Sequence, residues 1–276
     1  MYSLKDRVVV ITGASSGIGR AAAHEFAKRG AQVVLVARRR EMLVEVGREI
    51  EGYGRSALVV PADMGREEDL KNLCNVVIQT FGRIDVLVNN AGLSIGGAFT
   101  EQDDAIIRKM VEVNVYAPMR LTQIVLPHML ERRDGHIVNV SSVAGVIPSP
   151  GQTAYAPTRA AVISFSHALR REVAGHGIRV SAILPGWTRT AMLENMHEDE
   201  MRAAGLLNPF INLDGPEVPA RAIVDAVIHN RYQVLMGGIQ YWWGDKLQRL
   251  SPKIMDWFFR FWMDTEKMVQ GMKELG

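Results

Sequence analysis

The sequence contains a single cysteine, Cys74, among its 276 residues, which excludes a disulfide framework and a cysteine-rich metal site. The seven histidines are scattered without the spacing of metal ligands. No apolar run approaches the roughly 20 residues that a membrane span needs. The formal charge of only +2 gives no indication of a nucleic-acid partner. Because the first strand-like run begins at Arg7, there is no room for a signal peptide before it, and we expect a cytoplasmic protein.

Short β-branched segments alternate regularly with longer helix-like segments. The strand candidates are apolar throughout, as expected of parallel strands that are covered on both faces. Such alternation predicts one α/β domain with a doubly wound parallel sheet of about seven strands and helices on both faces. The predicted strands are Arg7–Ile11, Gln32–Val36, Ala57–Val60, Ile84–Val88, His136–Val140, Arg179–Ile183 and Tyr232–Met236, and examples of the predicted helices are Arg20–Arg29 and Ala160–Ala174.

A glycine-rich turn joins the first predicted strand to the first predicted helix. Gly13, Gly17 and Gly19 stand where the chain must turn and let a phosphate approach the backbone closely. A helix that begins near Gly17 would point its free N–H groups and its dipole at a pyrophosphate. The alternative, a merely tight loop, is weaker because the glycines lie between a strand and an amphipathic helix.

The residues that follow the second strand predict which nucleotide is bound. An NAD site usually has a carboxylate there, for the ribose 2′-hydroxyl, whereas this chain has Arg38, Arg39 and Arg40. Since a guanidinium suits a 2′-phosphate, we expect NADP(H), with Arg38 ahead of Arg39, and NAD(H) as the alternative. Asp63, after the third strand, is either an acceptor for the adenine amino group or a turn residue.

Five motifs in order resemble the short-chain dehydrogenase/reductase family over roughly residues 5–240. They are Thr12–Gly19, Asn89–Gly92, Asn114 in "VEVNVYAP", "GHIVNVSSVAG" with Ser142 followed by Tyr155 thirteen residues later, and Leu184–Thr190. The resemblance implies a Rossmann-type domain over residues 1–240, with a substrate lid at about 188–219, and a C-terminal extension over 241–276. It also implies the following cofactor contacts: Gly13, Ser15, Ser16, Gly17, Ile18, Gly19, Arg38, Arg39, Asp63, Met64, Asn90, Ala91, Gly92, Tyr155, Arg159, Pro185, Gly186, Thr188 and Thr190.

The same resemblance implies hydride transfer between the cofactor and a carbonyl/alcohol pair. Tyr155 would be the acid/base, Ser142 would hold the substrate oxygen, and Asn114 would support a proton-relay water. The family has a lysine four residues after the tyrosine, and this chain has Arg159. Arginine keeps the charge, but it presents a planar fork and does not release a proton. A working, slowed enzyme is the leading expectation, and an NADPH-binding pseudo-enzyme with a sensor or scaffold role is the alternative.

Two segments bear on substrate and partners. Apolar residues between Thr188 and Pro219 favour an apolar or bulky carbonyl substrate, or else pack on the domain; they are Met192, Leu193, Met196, Leu206, Leu207, Pro209 and Phe210. Apolar residues from Leu247 to Trp262 recur every three or four positions and predict one amphipathic helix. That helix could pack on the body or another subunit, wall the substrate pocket, or lie on a membrane surface. The family usually associates through helices at about Ala105–Leu130 and Ala154–Ala174, which implies a homodimer or homotetramer.

Overall fold

A computed structural model describes residues 2–189, 213–262 and 265–274 of the chain. Within these residues seven strands form one sheet, which confirms the predicted architecture. The strands lie within one or two residues of their predicted positions: β1 Val8–Thr12, β2 Gln32–Ala37, β3 Ala57–Pro61, β4 Val86–Asn89, β5 Gly135–Val140, β6 Ile178–Leu184 and β7 Gln233–Leu235.

The sheet is parallel throughout, with the strand order β3-β2-β1-β4-β5-β6-β7. The order reverses between β1 and β4, which pair directly through Val9 with Val86 and Ile11 with Val88. At such a switch point the loops beyond the carboxyl ends of the strands diverge and leave a crevice. The sheet therefore places a ligand crevice beyond Thr12 and Asn89.

Helices cover both faces of the sheet. On one face Phe26 and Leu43 pack against the side chains of Val9 and Ile11, and on the other face Leu73 and Leu121 pack beneath the intervening residues of β1. Alternate strand residues thus enter two separate cores, which explains why these strands are apolar throughout. The helices of the domain are α1 Gly17–Lys28, α2 Arg40–Glu51, α3 Glu67–Phe81, α4 Asp104–Val111, α5 Ala117–Arg132, α6 Tyr155–Glu172 and α7 Glu217–His229.

Two helices begin at the motifs of the site. The helix α1 begins at Gly17, as expected from the glycine turn, and α6 begins at Tyr155, within one residue of the range Ala154–Ala174 that the resemblance implies. In α6 the first turn includes Pro157, which is tolerated there because first-turn N–H groups have no intrahelical acceptor to lose. Tyr155 is consequently the first residue of the helix and lies at its open N-terminal end.

The C-terminal segment contradicts the prediction of one continuous helix. It forms α8 Ile239–Leu250, α9 Pro252–Trp262 and α10 Thr265–Glu274. Ser251 has an extended backbone (φ −155°, ψ 95°), because the ring of a following proline disfavours the helical region and Pro252 has no N–H to continue the ladder. Among the described residues, no helix is long and apolar enough to cross a membrane.

Part of the predicted lid lies outside the described residues, and so does one predicted cofactor contact. The expectations that concern residues 190–212 therefore stay predictions; they involve Thr190, Met192, Leu193, Met196, Leu206, Leu207, Pro209 and Phe210. On either side of this segment, the chain is joined by hydrogen bonds from the Arg189 N–H to the Asp214 carbonyl (2.7 Å) and from the Asp214 N–H to the Trp187 carbonyl (3.1 Å).

Candidate active site

The glycine turn after β1 leaves open space above the start of α1. Gly13 and Gly17 have φ values of 69° and 53°, a region that side chains rarely adopt. A Cβ atom at Gly19 would lie 2.6 Å from Asn90 Nδ2 and 2.7 Å from the Gly13 carbonyl carbon, so no side chain fits there. Ser16, at the N-cap of α1, makes no capping bond with its side chain. The first-turn N–H groups of α1 are thus left for a ligand, and the turn fits a pyrophosphate.

Asn90 and Thr12 fasten this turn to the end of β4. The Asn90 amide donates to the Thr12 carbonyl (2.9 Å), and Thr12 Oγ1 accepts the main-chain N–H groups of Asn90 and Ala91 (3.0 Å each). Because the same hydroxyl lies 3.3 Å from the Val88 carbonyl, it bridges two neighbouring strands. The two loops that border the switch point are therefore held at a fixed separation.

A cavity of about 460 Å³ lies over this turn, and it gathers most of the predicted cofactor residues. Arg38 and Arg39 line its far end; both are exposed, and neither forms an ion pair with any residue that the structure describes. Asp63 also lines the cavity, while its Oδ1 accepts the Gly65 N–H (2.9 Å), so it does serve as a turn residue. The other predicted residues in the lining are Gly13, Ser15, Ser16, Gly17, Ile18, Met64, Asn90, Ala91 and Gly92.

A second cavity, of about 270 Å³, joins the first at Ile18, Asn90 and Gly92. Six further predicted site residues line this second cavity: Ser142, Tyr155, Arg159, Pro185, Gly186 and Thr188. Of the predicted site residues that the structure describes, Asn114 and Gly19 line neither cavity. The two cavities form one continuous cleft from the arginines after β2 to the serine and tyrosine beyond β5. A dinucleotide fits such a cleft, with its phosphates on the glycine turn and its two ends in the two cavities.

Ser142 and Tyr155 reach the second cavity from different elements. Ser142 follows β5 and caps a short 3₁₀ turn, Val143–Gly145, where its Oγ accepts the Ala144 N–H (3.2 Å). This bond uses a lone pair, so the hydroxyl hydrogen is left to donate. Tyr155 enters from the first turn of α6. A carbonyl oxygen in this cavity can therefore meet a serine donor and a phenol together.

Arg159 lies one helical turn after Tyr155 and is only 7% exposed. Its Cζ is 5.0 Å from the centroid of the Tyr155 ring, and its Nη1 donates to the Val140 carbonyl at a long 3.4 Å. Its Nε has no hydrogen-bond partner. Within the described residues, no carboxylate pairs with this guanidinium. Burying a charge without a partner is costly, so Arg159 fits a site whose ligand completes its hydrogen bonding.

Asn114 lies beside the second cavity rather than in its lining. It belongs to a π-helical turn, Glu112–Tyr116, between α4 and α5. Its Oδ1 accepts the Leu93 N–H (2.7 Å), and its Nδ2 donates to the Leu93 carbonyl (2.7 Å) and to Thr158 Oγ1 (3.0 Å). Both amide hydrogens are thus used within the protein, and the side chain ties the segment after β4 to α6.

The sequence analysis missed several residues of the second cavity, of which Tyr241 is the most distant along the chain. It comes from α8 and lines the cavity together with Trp187, Ile147 and Gln152. Burial, together with the charge of Asp214, raises the pKa of the Tyr241 phenol to about 12. Gly237, four residues earlier, makes room for this ring, because a Cβ there would lie 2.5 Å from Tyr241 Cδ2.

Comparisons with known proteins agree with this geometry. The family model described as short chain dehydrogenase matches residues 7–201. The 3-oxoacyl-[acyl-carrier-protein] reductase FabG of Thermotoga maritima is 36% identical over 221 residues, which cover 80% of this chain and 90% of that protein. The dehydrogenase/reductase SDR family member 7B of Danio rerio is 32% identical over 279 residues, or 99% of this chain and 89% of that protein. The chain therefore belongs to the short-chain dehydrogenase/reductase family and is an NAD(P)-dependent oxidoreductase.

Proposed function

We propose that this protein interconverts a carbonyl compound and an alcohol by hydride transfer, with NADP(H) as its cofactor and Tyr155 as acid/base. One observation carries the proposal. Ser142, Tyr155 and Arg159 share a cavity that is continuous with the glycine turn and, beyond it, with Arg38 and Arg39.

The bound cofactor supplies or accepts the hydride, and the protein manages the charge on the oxygen. In the reducing direction the Tyr155 phenol gives its proton to the carbonyl oxygen, while the Ser142 hydroxyl donates a hydrogen bond to it. The positive guanidinium of Arg159, next to the Tyr155 ring, stabilises the negative charge that remains on the phenol oxygen. In the oxidising direction the same groups act in reverse.

Arg159 takes the place of the lysine that the family has four residues after the tyrosine. Its Nη groups lie against Gly92, where ribose hydroxyls would be placed, while its buried Nε has no hydrogen-bond partner. Because guanidinium does not release its proton, Arg159 binds and polarises but cannot relay a proton. Asn114 supports a relay water through an oxygen lone pair or through a carbonyl of the π-helical turn, since both of its amide hydrogens are used.

The preference for NADP(H) rests on the residues after β2. Arg38 and Arg39 lack an ion-pair partner among the described residues and line the end of the cleft that would take the adenosine. A hydrogen bond to a charged group contributes about 1.5–3 kcal/mol, which corresponds to roughly 10- to 100-fold in affinity. Arg38→Ala should therefore weaken NADPH binding by that factor and leave NADH binding unchanged, with Arg39→Ala as the matched control of smaller effect.

The substrate would be apolar or bulky, and the protein a homo-oligomer. Val143, Ile147, Trp187 and Tyr241 supply apolar surface to the second cavity. The segment from α4 through the π-helical turn to α5 exposes Val111, Tyr116 and Met119 (48%, 56% and 42%), as expected of a subunit contact formed by this segment. These residues lie within the helices, at about Ala105–Leu130, through which subunits of the family usually associate.

The experiment that tests the function follows NADPH oxidation with a panel of ketones, aldehydes and quinones. Wild type is compared with Tyr155→Phe and Arg159→Lys, after fluorescence has shown that each variant binds NADPH. Turnover by wild type that is lost in Tyr155→Phe supports the proposal. A silent wild type beside an active Arg159→Lys would refute the role of Arg159 and favour an NADPH-binding sensor.

A further inference from the structure

We propose that the outward faces of α8 and α9 dock onto the surface of a lipid bilayer. Seven exposed apolar side chains form this surface, which we call the aromatic face: Ile239, Trp242, Trp243, Leu250, Ile254, Trp257 and Phe261. They account for seven of the thirteen large apolar side chains that are exposed among the described residues, although they come from only 23 consecutive positions. Such a concentration marks an interaction surface rather than scattered surface residues.

The helix α8 turns its apolar side toward solvent and its polar and small residues toward the body of the protein. Its inward side carries Tyr241, Gly244 and Asp245, of which the last two are buried. Its outward side carries Ile239, the tryptophan pair and Leu250, which is 82% exposed. A surface helix normally turns its apolar side to the core. The reversed arrangement leaves the apolar side to be covered by something outside the chain.

The helix α9 carries a second, narrower stripe of exposed apolar side chains. Ile254, Trp257 and Phe261 are spaced by three and four residues and are 47%, 53% and 72% exposed. The rings of Trp257 and Phe261 lie 5.1 Å apart, centroid to centroid. Lys253 and Arg260 are exposed on the adjoining side of the helix. An apolar stripe that is flanked by cations is the pattern of a helix lying in the plane of a membrane interface.

Charge and composition favour lipid over a second protein surface. Besides Lys253 and Arg260, Lys246 stands over the Trp242 ring (5.7 Å), so cations surround the aromatic rings where lipid phosphates would lie. Asp245 is buried and bound to Arg249 (2.8 Å), so Asp256 is the one exposed acid on the described residues of α8 and α9, against the three cations Lys246, Lys253 and Arg260. Tryptophan itself is enriched at the membrane–water interface. The exposed apolar side chains of α4 and α5 form a separate surface that is available for subunit contact.

The helix that carries half of the aromatic face also forms part of the wall of the second cavity, with its opposite side. Tyr241, next to Trp242 in sequence, lines that cavity, and a Cβ at Gly244 would lie 2.7 Å from Ile147 Cδ1. Met272 of α10 packs on Gly96 and Gly151, in the loops on either side of the cavity. Docking would therefore place a helix that walls the cavity on the lipid surface. If the proposed function holds, a carbonyl compound dissolved in the bilayer would be concentrated close to the site.

The test measures binding of the full-length protein to vesicles of phosphatidylcholine, with and without phosphatidylglycerol. Sedimentation gives the partition coefficient, and phosphatidylcholine brominated on its acyl chains reports contact by quenching the fluorescence of Trp242, Trp243 and Trp257. We expect binding, quenching, and stronger binding when phosphatidylglycerol is present. Neither readout depends on turnover, so failure of the proposed function would leave this test intact.

One double variant and a matched control locate the contact. Trp257→Ser combined with Phe261→Ser should lower the partition coefficient about tenfold or more, because two apolar anchors are lost. Tyr116→Ser combined with Met119→Ser removes exposed apolar surface from the π-helical turn and α5 and should leave the partition coefficient unchanged. NADPH fluorescence confirms that each variant is folded.

Three results would overturn the proposal. They are the absence of vesicle binding, equal loss in the two double variants, and a discrete oligomer without lipid that the changes at Trp257 and Phe261 dissociate. The last outcome would assign the aromatic face to a second copy of the chain.

Lys253→Glu combined with Arg260→Glu should abolish the gain from phosphatidylglycerol while binding to phosphatidylcholine alone persists.

Discussion

A methyl group added at residue 92 would test whether the position of the Arg159 guanidinium governs turnover. In Gly92→Ala the new Cβ would collide with Arg159 Nη2 and lie 3.1 Å from Cζ and 3.2 Å from Nη1. Ordinary contacts between heavy atoms are about 3.5 Å or longer. Because Gly92 does not have a positive φ, alanine strains no backbone there. The guanidinium, which is only 7% exposed, must therefore move by about 1 Å.

A shift of this size has a calculable consequence for the reaction. Displacing a positioning group by about 1 Å can lower turnover by about 10²-fold, which is about 2.7 kcal/mol of barrier. The assay is kcat/KM for NADPH oxidation with the best carbonyl compound of the panel, supplemented by the NADPH Kd from fluorescence. Gly47→Ala is the control, since its Cβ would meet only Val59 Cγ2 at 3.8 Å. That variant should be as active as wild type.

A double-mutant cycle with Arg159→Lys identifies the cause. Lysine has no Nη2 or Cζ atom for the new methyl group to meet, so Gly92→Ala should cost much less in that background. The two changes should be coupled by about 1–3 kcal/mol. Additive losses would refute the reasoning, because they would show that the methyl group acts somewhere other than on the guanidinium.

Three further predictions concern the glycine turn, the sheet and the C-terminal wall of the cavity. Gly19→Ala, whose Cβ would lie 2.6 Å from Asn90 Nδ2, should weaken NADPH binding at least tenfold by fluorescence titration, without lowering the melting temperature to a matching extent. Burial lowers the pKa of His136 to about 3, so the unfolded chain binds this proton below about pH 6.5 and the folded protein does not. Stability should therefore fall by up to about 1.4 kcal/mol per pH unit between pH 6.5 and 3, and His136→Gln, which retains a partner for Ser181, should remove that slope in urea titrations. The raised pKa of Tyr241 keeps its phenol neutral at physiological pH, so Tyr241→Phe should change KM for bulky substrates and leave the shape of the pH–rate profile unaltered; a missing limb in the profile would contradict this.

The sheet could be predicted almost residue by residue, because its strands are β-branched runs buried on both faces. The main deviation is at β4, predicted from Ile84 and observed from Val86. Asp85 intervenes: its side chain is fully buried, accepts the Val8 N–H (2.8 Å) and pairs with Arg7 (3.2 Å). The buried carboxylate is held both by its neighbour Arg83 (2.8 Å) and by Arg7, which is 78 residues away in the sequence. Local propensity does not contain that information.

The candidate site could be assembled from motifs only where each motif holds its own chemistry. Ser142 and Tyr155 lie in recognisable segments and meet in one cavity. Thr158 does not stand out in the sequence, yet its hydroxyl donates to the Tyr155 carbonyl (2.7 Å) and accepts from Asn114 (3.0 Å). Tyr241 is 86 residues beyond Tyr155 and reaches the cavity through the docking of α8. Such contacts follow from the tertiary fold and not from spacing along the chain.

The C-terminal segment shows why periodicity alone did not predict its arrangement. A spacing of three and four residues establishes which side chains share a face of a helix, and it does so correctly for Ile254, Trp257 and Phe261. It does not establish which face meets the body of the protein. In α8 the side that meets the body carries the small residue Gly244, where a Cβ would lie 2.7 Å from Ile147 Cδ1, and the tryptophans are turned outward. The small residue, rather than the apolar ones, faces the body, and this orientation is what makes the aromatic face available to a lipid surface.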